Sequence, residues 1–158
     1  SRELKDLAER ILFEEARYID ELKLDEWLSM FSRECLYWVP TIPGGGDPRK
    51  TVSIAFDDRR RLEDRVYRIR TGYAYSQLPL SRTRRMMTNI EVTQGSSDDE
   101  LYVRANMIVY EFRVGKLRSF AAWCGYKLMR EEGDWKIVLK MVNLIDCDQA
   151  HENLTFIL

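Results

Sequence analysis

Apolar residues recur along the first part of the chain with the spacing of an α-helix. From Leu4 to Leu22 they fall three or four positions apart, and charged residues fill the opposite face, which predicts a long amphipathic first helix. The segment from Lys23 to Phe31 has the same spacing and predicts a short second helix. A third helix is predicted over residues 59–71, because two aspartates that can cap its start precede it and Gly72 can end it.

The second half of the chain changes to the alternation of a β-strand. From Arg82 onward, four segments with a period of two are separated by short turns, which predicts four antiparallel strands in a meander. These segments are RTRRMMTNIEVTQ, LYVRANMIVYEFRV, LRSFAAWCGYKLMRE and WKIVLKMVNLI. Two strands are predicted earlier, at CLYWVP and TVSIAF. Helices followed by a meander are typical of an α+β fold, with three N-terminal helices packed on one face of a curved, mainly antiparallel sheet.

The meander strands carry apolar side chains on both faces. In the second of them one face holds Leu101, Val103, Ala105, Met107 and Val109, and the other holds Ile108, Tyr110 and Phe112. In the last of them, Trp135, Ile137, Leu139 and Met141 oppose Val138, Val142 and Leu144. A sheet covered by helices on one side normally has polar residues on its other side. The second apolar face therefore predicts contact with another protein chain.

Three arginines within four residues stand at the start of an apolar strand, in the stretch PLSRTRRMMTN. The face predicted to pack is defined by Met86, Thr88, Ile90 and Val92. Counting by twos, Arg82 and Arg84 continue that face and Arg85 lies on the other one. We expect Arg82 and Arg84 to pair with carboxylates at a subunit boundary or within this chain, and Arg85 to face a partner or solvent. A strand edge protected from aggregation by its charge is the alternative.

Aromatic residues supply further candidates for an interface, because tryptophan, tyrosine and arginine dominate the energetics of protein contacts. Tyr37 and Trp38 are adjacent in a strand and must point to opposite faces. We expect Trp38 in the core and leave Tyr37 open. The predicted subunit-interface residues are Arg82, Arg84, Arg85, Tyr37 and Trp123.

Composition narrows the possible partners. The 25 basic and 26 acidic residues are interspersed and give a net charge of −1, so nucleic acid is not an expected partner. No apolar run approaches the ~20 residues of a membrane helix, and the start SRELKDLAER lacks the apolar core of a signal peptide. We expect a cytoplasmic protein, away from membranes, whose 158 residues form one domain over residues 1–158.

The scarcity of metal-binding residues limits the chemistry of this chain. Its three cysteines are far apart and lack a C-x-x-C spacing, which favours reduced core residues over disulfides or a zinc site. Its single histidine, His151, is too few for an iron site with two histidine ligands or for a Rieske cluster. We therefore expect no catalytic, cofactor-binding or metal-binding residues in this chain.

Four segments resemble successive blocks of a known family. DEWLSMFSRECLYWVP, FDDRRRLEDRVYRIRTG, PLSRTRRMMTNIEV and ENLTFIL are similar to the small (β) subunits of Rieske-type aromatic ring-hydroxylating dioxygenases, in the same order and over almost the whole chain. One departure is Glu152, where the family more often has a basic residue before Asn-Leu. The resemblance implies a cone-shaped sheet wrapped around helices, the ketosteroid-isomerase-like or nuclear-transport-factor-like (cystatin-like) fold.

The resemblance also implies a structural role in an oxidoreductase. In this family three small subunits form a base beneath three catalytic large (α) subunits, which carry a Rieske [2Fe-2S] cluster and a mononuclear non-haem iron. Electrons come from NADH through a reductase, with or without a ferredoxin, and the iron centre hydroxylates an aromatic compound for its catabolism. The small subunit then holds the large subunits at the spacing that electron transfer needs. The blocks are most similar to partners of enzymes that act on aromatic acids such as benzoate, anthranilate or salicylate.

Two other functions remain open at this point. The first is an independent enzyme of the ketosteroid isomerase or dehydratase type, which needs a base and a hydrogen-bond donor in an open pocket of the cone. Its candidate residues are Tyr18, Asp20, Tyr37 and Tyr110. The second is a stand-alone homo-oligomeric binding module, which the two apolar faces of the strands fit equally well.

Overall fold

The computed structural model describes residues 1–75, 79–149 and 156–158, without the side chains of residues 73–75. Its helices are α1 (Arg2–Asp20), α2 (Leu24–Ser29) and α3 (Arg59–Tyr75). Its strands are β1 (Phe31–Pro40), β2 (Ser53–Asp57), β3 (Arg82–Gln94), β4 (Glu100–Arg113), β5 (Lys116–Glu131) and β6 (Asp134–Leu144). The three helices, the two early strands and the four-stranded meander agree with the prediction from sequence periodicity.

The six strands form one sheet in the order β2-β1-β6-β5-β4-β3. All neighbouring strands are antiparallel except β1 and β6, which are parallel. Helix α1 packs against β3, and α3 packs against β1, so the helices share one face of the sheet. We call this face the inner face and the opposite one the outer face. The α+β architecture with a mainly antiparallel sheet is confirmed.

Helix α1 is held to the inner face by a buried stripe. Ser1 caps its start, since its hydroxyl accepts a hydrogen bond from the backbone N–H of Leu4 at 3.3 Å. The buried members of the stripe are Ala8, Leu12, Glu15, Ala16 and Ile19. Their spacing of three and four residues keeps them on one side of the helix. One of the five, Glu15, is a glutamate.

Helix α3 is longer than its sequence signals indicate. Gly72 was expected to end it, and this expectation is wrong, because the helix continues to Tyr75. A glycine ends a helix when it takes a left-handed conformation, and Gly72 is not among the glycines with positive φ. The start agrees better with the prediction, because the Asp58 carboxylate accepts a hydrogen bond from the backbone N–H of Arg61 at 2.9 Å.

Both faces of β4 carry apolar side chains, as predicted, but only one face is buried. Its inner-face residues Leu101, Val103, Ala105, Met107 and Val109 are buried in the core. Its outer-face residues Tyr102, Ile108, Tyr110 and Phe112 are all large, hydrophobic and exposed. The sheet therefore presents a second apolar surface that the helices do not cover.

A β-bulge in β3 reverses the expected faces of the arginines. Thr88 pairs with Asn106 and Glu91 pairs with Arg104, so β3 has one more residue than β4 across this interval. Because side chains alternate with a period of two, the extra residue shifts every side chain before it to the opposite face. Ile90 and Val92 still pack against the core, but Met86 is exposed and Met87 packs inward in its place.

The predicted orientations of Arg82, Arg84 and Arg85 are therefore wrong. Arg85 is buried on the inner face, and Arg82 and Arg84 are exposed on the outer face. The expectation that Trp38 lies in the core is also wrong. Tyr37 belongs to the core, and Trp38 is half-buried and donates to the Ser53 hydroxyl at 3.0 Å.

A second bulge, in β6, brings a lysine into the interior. Leu128 pairs with Ile137 while its neighbour Lys127 pairs with Leu139, which leaves Val138 without a counterpart on β5. As a result Ile137 and Lys140 both point inward and are buried. The expectation that Trp135, Ile137, Leu139 and Met141 share one face is correspondingly wrong.

The bulge in β3 depends on one backbone conformation. Asn89 has a φ of 54°, a left-handed value that asparagine and glycine tolerate and β-branched residues do not. We expect Asn89→Val to lower the free energy of unfolding by about 1–2 kcal/mol, and Asn89→Gly to change it little. Chemical denaturation of the purified chain measures both. Thr88→Val is the matched control, at an exposed strand position without positive φ, and an equal loss in that variant would contradict the assignment.

Candidate functional site

A fully buried glutamate lies at the centre of the interior. The Glu15 carboxylate accepts hydrogen bonds from Trp27 Nε1 at 2.7 Å, from the Tyr126 hydroxyl at 2.8 Å and from Lys140 Nζ at 2.5 Å. The Lys140 and Glu15 side chains are 1% and 2% exposed. Charged hydrogen bonds of this kind are the strong ones, and the three donors come from α2, β5 and β6. The glutamate thus links α1 to three other elements.

Sequence reasoning missed both members of this pair. Glu15 lies three residues after Leu12 and four before Ile19, and so occupies a position of the buried stripe. Lys140 is similarly surrounded by apolar residues in β6. The sequence offered one signal for the pair: an acidic residue within the apolar stripe of α1 and a basic residue among the apolar residues of β6. The inward direction of Lys140 also needs the bulge at Val138, which the sequence pattern does not reveal.

The surroundings of Glu15 set its protonation state. Burial by itself raises the pKa of a carboxyl group, but the Lys140 ammonium and the three hydrogen bonds outweigh it, and the pKa of Glu15 is lowered. Burial raises the pKa of Tyr126 well above its ordinary value, and the nearby Glu15 charge raises it further. Glu15 is therefore ionised at neutral pH, and Tyr126 is a neutral donor to it.

A second ion pair fixes the end of α1 to the sheet. Arg85 Nη1 donates to Asp20 at 2.6 Å, and the backbone N–H of Arg85 donates to the same carboxylate at 2.8 Å. The Thr83 hydroxyl adds a third hydrogen bond at 2.8 Å. Both charged side chains are at most 5% exposed. Within the described residues, Nε and Nη2 of Arg85 have no hydrogen-bond partner.

The last residues of the sequence complete the interior. The backbone carbonyl of Leu158 accepts hydrogen bonds from Lys140 Nζ at 3.0 Å and from the Tyr37 hydroxyl at 3.3 Å. Phe156, Ile157 and Leu158 are all buried. Beside them lies a cavity of about 10 Å³ bordered by Thr83, which is at most the size of one water molecule.

The four residues considered for catalysis inside the cone do not form a site. Tyr18 donates to Glu14 at 2.8 Å along α1, and Tyr110 lies on the outer face. Asp20 is paired with Arg85, and Tyr37 is bonded to Leu158. Burial raises the pKa of Tyr37 strongly, which keeps it in its neutral form. The arrangement holds charges in place and presents neither a free base nor an open pocket at these four residues.

The described residues also contain no cluster suited to a metal ion. They bring together no group of three or more histidine, cysteine, aspartate or glutamate side chains. Cys35, Cys124 and Cys147 are free and buried, and burial raises the pKa of the Cys124 thiol to about 12. His151 and Glu152 lie outside the described residues. No described helix is both long and apolar enough to cross a membrane.

The outer face carries rows of side chains that run across the strands. One row contains Met86, Ile108 and Ala121. Ile145, just after β6, extends this row, because its backbone N–H donates to the Ala121 carbonyl oxygen at 3.0 Å. The next rows are Arg84, Tyr110 and Ser119, and then Arg82, Phe112 and Leu117. Among these, Met86, Ile108, Tyr110, Phe112, Leu117 and Ile145 are exposed hydrophobic residues. We call these six residues the outer apolar patch.

The predicted interface residues divide between the two faces. Arg82 lies over the ring of Phe112, 4.9 Å from its centroid, and thus borders the outer apolar patch. Arg84 lies directly opposite Tyr110 in the neighbouring strand, on the same face. Trp123 is half-buried on the outer face, and its Nε1 donates to Asn143 at 3.0 Å. Arg85 and Tyr37 are buried on the inner face.

Next to Trp123 the outer face has a shallow depression of about 350 Å³. Gly125 forms part of it, because a glycine in the middle of β5 adds no side chain to the surface. Arg104 lies over the Trp123 ring at 4.5 Å from the centroid. The depression is also lined by Tyr102, Leu139 and Met141. The depression extends the apolar character of the outer face beyond the outer apolar patch.

Comparisons with known sequences identify similar proteins over most of the chain. The family model described as "Ring hydroxylating beta subunit" matches residues 14–148. The small oxygenase component of the p-cumate 2,3-dioxygenase system of Pseudomonas putida is 29% identical over 153 residues, which are 95% of this chain and 84% of that protein. The small subunit of 2-halobenzoate 1,2-dioxygenase of Burkholderia cepacia is 31% identical over 138 residues, 84% of this chain and 83% of that protein.

Comparisons with solved structures agree. The β subunit of benzoate 1,2-dioxygenase from Burkholderia mallei superposes with a TM-score of 0.78 at 26% identity, over 94% of each chain. A candidate scytalone dehydratase of Novosphingobium aromaticivorans superposes with a TM-score of 0.63 over 90% of this chain and 85% of its own. At 15% identity that likeness concerns the fold alone. Together the two neighbours confirm the expected cone-shaped fold of the ketosteroid-isomerase-like and nuclear-transport-factor-like type.

The Glu15–Lys140 pair gives a testable dependence of stability on pH. Since the pKa of Glu15 in the folded chain lies below its ordinary value of 4.5, its contribution is present above about pH 4.5 and is lost as the pH falls through the folded pKa. We expect Glu15→Gln to lose about 3–5 kcal/mol at pH 7, since it leaves Lys140 buried without a counter-charge. The difference from wild type should shrink below pH 4.5.

Urea unfolding of both proteins at several pH values measures this difference. Glu63→Gln is the control, because the Glu63 side chain is 51% exposed in its pair with Arg59, and an ion pair with an exposed carboxylate contributes at most about 1 kcal/mol. A difference between wild type and Glu15→Gln that stays constant from pH 7 down to pH 3 would exclude the assigned ionisation.

The corrected positions of the arginines give a second prediction. We expect Arg85→Met to destabilise the isolated chain by about 3–5 kcal/mol, because Asp20 is left buried without its counter-charge. Arg84→Met, one residue away and exposed, should change stability by less than about 0.5 kcal/mol. Denaturant titration of the two variants measures both changes in the free energy of unfolding. Similar losses in both would mean that the bulge does not place the two arginines on opposite faces.

Proposed function

The chain belongs to the family of ring-hydroxylating β subunits, and on this basis we propose that it is the non-catalytic small subunit of a multicomponent aromatic ring-hydroxylating dioxygenase. Residues 1–158 act as one domain in this role. The observation that carries the proposal is the contrast between the two faces of the sheet. The inner face is filled by buried ion pairs and residues 156–158, whereas the outer face exposes the outer apolar patch. A surface of this kind is suited to binding another protein chain.

The catalytic partner in this proposal is a large (α) subunit. It carries the Rieske [2Fe-2S] cluster and the mononuclear non-haem iron, and three copies of each subunit form an α3β3 hexamer in the cytoplasm. Electrons reach the hexamer from NADH through a reductase, with or without a ferredoxin. The donor set of this chain supports the division of roles, because one histidine and three separately buried cysteines cannot supply the ligands of either centre.

The rigid interior supports a role in spacing the large subunits. A subunit that holds others at a fixed separation must itself resist deformation, and buried ion pairs with several hydrogen bonds fix the position of one element against another. Glu15 and Asp20 fix the C-terminal part of α1 to the sheet. The outer face is thereby presented as one surface with a defined shape.

The outer apolar patch is the proposed subunit interface, together with Arg82, Arg84 and Trp123 at its borders. Arginine and aromatic side chains at the border of an apolar surface are typical of protein interfaces. We assign Arg85 and Tyr37, two of the predicted interface residues, to the interior that supports this surface.

The proposed substrate class is an aromatic acid. It rests on the relatives, two of which are named for benzoate or a halobenzoate, and on the sequence blocks described above. Substrate contacts in this proposal belong to the large subunit, so this chain affects the reaction through assembly alone.

Co-expression with a large (α) subunit of a ring-hydroxylating dioxygenase from the same organism tests the proposal. We expect a stable complex with equal amounts of the two chains, coloured by the iron centres of the large subunit. We also expect Ile108→Lys to weaken the complex by about 30-fold, which corresponds to ~2 kcal/mol at a central interface position. Size-exclusion chromatography and native mass spectrometry measure the complex and its composition.

The control is Tyr67→Lys, which places the same charge on α3 at a residue that is 65% exposed. It should assemble like wild type, and both variants should unfold at the wild-type temperature when isolated. If the wild-type chain assembles only with itself, it is a homo-oligomeric binding module and the proposal fails. If Tyr67→Lys disrupts the complex and Ile108→Lys does not, the interface lies on the helical side.

A further inference from the structure

The part of the outer face that carries the outer apolar patch has charges of one sign only. Its rows across β3, β4 and β5 are Arg82, Phe112 and Leu117; Arg84, Tyr110 and Ser119; Met86, Ile108 and Ala121; and Thr88, Asn106 and Trp123. These positions hold two arginines and no aspartate or glutamate. In the next row, by contrast, Glu91 lies directly opposite Arg104. The positive charge is therefore unbalanced only beside the patch.

Both arginines are placed to bind an anion that approaches the outer face. The Arg82 guanidinium lies over the Phe112 ring, 4.9 Å from its centroid, and such stacking leaves the N–H groups at the edge of the guanidinium free to donate. Arg84 is exposed beside it. Within the described residues, neither arginine forms an ion pair with a carboxylate. Arg85, on the other face, has Asp20 as its counter-charge.

A partner that covers the patch must also deal with these two charges. Covering the exposed Ile108 and Tyr110 removes water from the neighbouring arginines, and a charge that loses its water without gaining a partner is costly. A carboxylate offsets this cost best, because it accepts two parallel hydrogen bonds from one guanidinium. The charge of the border thus defines the chemistry of the surface that fits it.

A second copy of this chain does not supply that chemistry. The same face has no carboxylate in the rows that carry the patch. The turn between β3 and β4 is acidic, but its carboxylates are already used within the chain. Asp98 accepts a hydrogen bond from Gln94 at 2.8 Å, and Asp99 accepts one from Arg130 at 2.8 Å. Charge complementarity therefore favours a different chain as the partner.

We propose that the surface of the large subunit that covers the outer apolar patch is apolar at its centre and carries aspartate or glutamate side chains where it meets Arg82 and Arg84. Each guanidinium donates paired hydrogen bonds to one of these carboxylates, and Phe112 holds the Arg82 guanidinium in place from below. The ion pairs fix the orientation of the two subunits, while the patch supplies the apolar contact. This inference rests on the proposed function and adds the chemistry of the partner's surface.

Chemical cross-linking of the complex identifies the partner residues. Arg82→Lys and Arg84→Lys keep the positive charge and introduce an amine, which a water-soluble carbodiimide joins to a carboxylate in contact with it. We expect mass spectrometry to find position 82 or 84 linked to an aspartate or glutamate of the large subunit. Arg68→Lys is the control, because it introduces the same amine at an exposed position of α3 and should give no link to the large subunit.

Reversal of the charges tests their contribution to binding. Arg82→Glu combined with Arg84→Glu should weaken the complex by about 100-fold, because like charges then meet across the interface. Arg60→Glu combined with Arg68→Glu gives the chain the same net charge through exposed residues of α3 and should assemble like wild type. Both double variants should remain folded when isolated, since all four side chains are exposed. Native mass spectrometry and size-exclusion chromatography measure the assembly.

The outcomes separate this inference from the proposed function. If Ile108→Lys weakens the complex while the reversal at positions 82 and 84 has no more effect than its control, the patch is the interface but its partner surface is not acidic. That result overturns this inference alone. Links from positions 82 and 84 only to a second copy of this chain also overturn it. If the wild-type chain does not assemble with the large subunit, the inference and the proposed function both fail.

Discussion

The contact between Glu15 and Lys140 is the interaction on which the rest of the structure depends. Removing two charges from water is costly, and the cost is offset only when attraction and further hydrogen bonds satisfy both groups. Here Trp27 and Tyr126 complete the shell of the carboxylate, and Leu158 contributes to that of the ammonium. The helix, the sheet and the last residues of the sequence must therefore be in place together.

Two single-residue bulges decide which side chains reach that interior. Without the extra residue at Asn89, Arg85 would point outward and Asp20 would lose its partner. Without the one at Val138, Lys140 would face away from Glu15. Each ion pair thus joins α1 to a strand that carries a bulge within a few residues of its basic partner, Arg85 in β3 or Lys140 in β6. Bulges of this kind re-aim a side chain at a defined place while the rest of the strand stays regular.

The helices, the meander and the two apolar faces of β4 could be predicted from the sequence because they follow from local periodicity. The arginine faces could not, since a left-handed residue such as Asn89 breaks the period without changing the hydrophobic pattern around it. The pairing of Glu15 with Lys140 joins residues 125 positions apart, and only the folded chain brings them together. The burial of Tyr37 could not be predicted for the same reason, because its hydrogen-bond partner Leu158 is 121 positions away. The family could be identified early because its blocks are continuous stretches of sequence.

The central claim is that the inner face is closed and the outer face meets the partner subunits. Hydroxyl-radical footprinting of the assembled complex tests it directly, because it reports the exposure of individual tyrosines. In the isolated fold, Tyr110 on the outer face and Tyr67 on α3 are 42% and 65% exposed. The account predicts that in the complex the oxidation of Tyr110 falls to background while Tyr67 keeps the rate of an exposed residue. Protection of Tyr67 with continued oxidation of Tyr110 would contradict it.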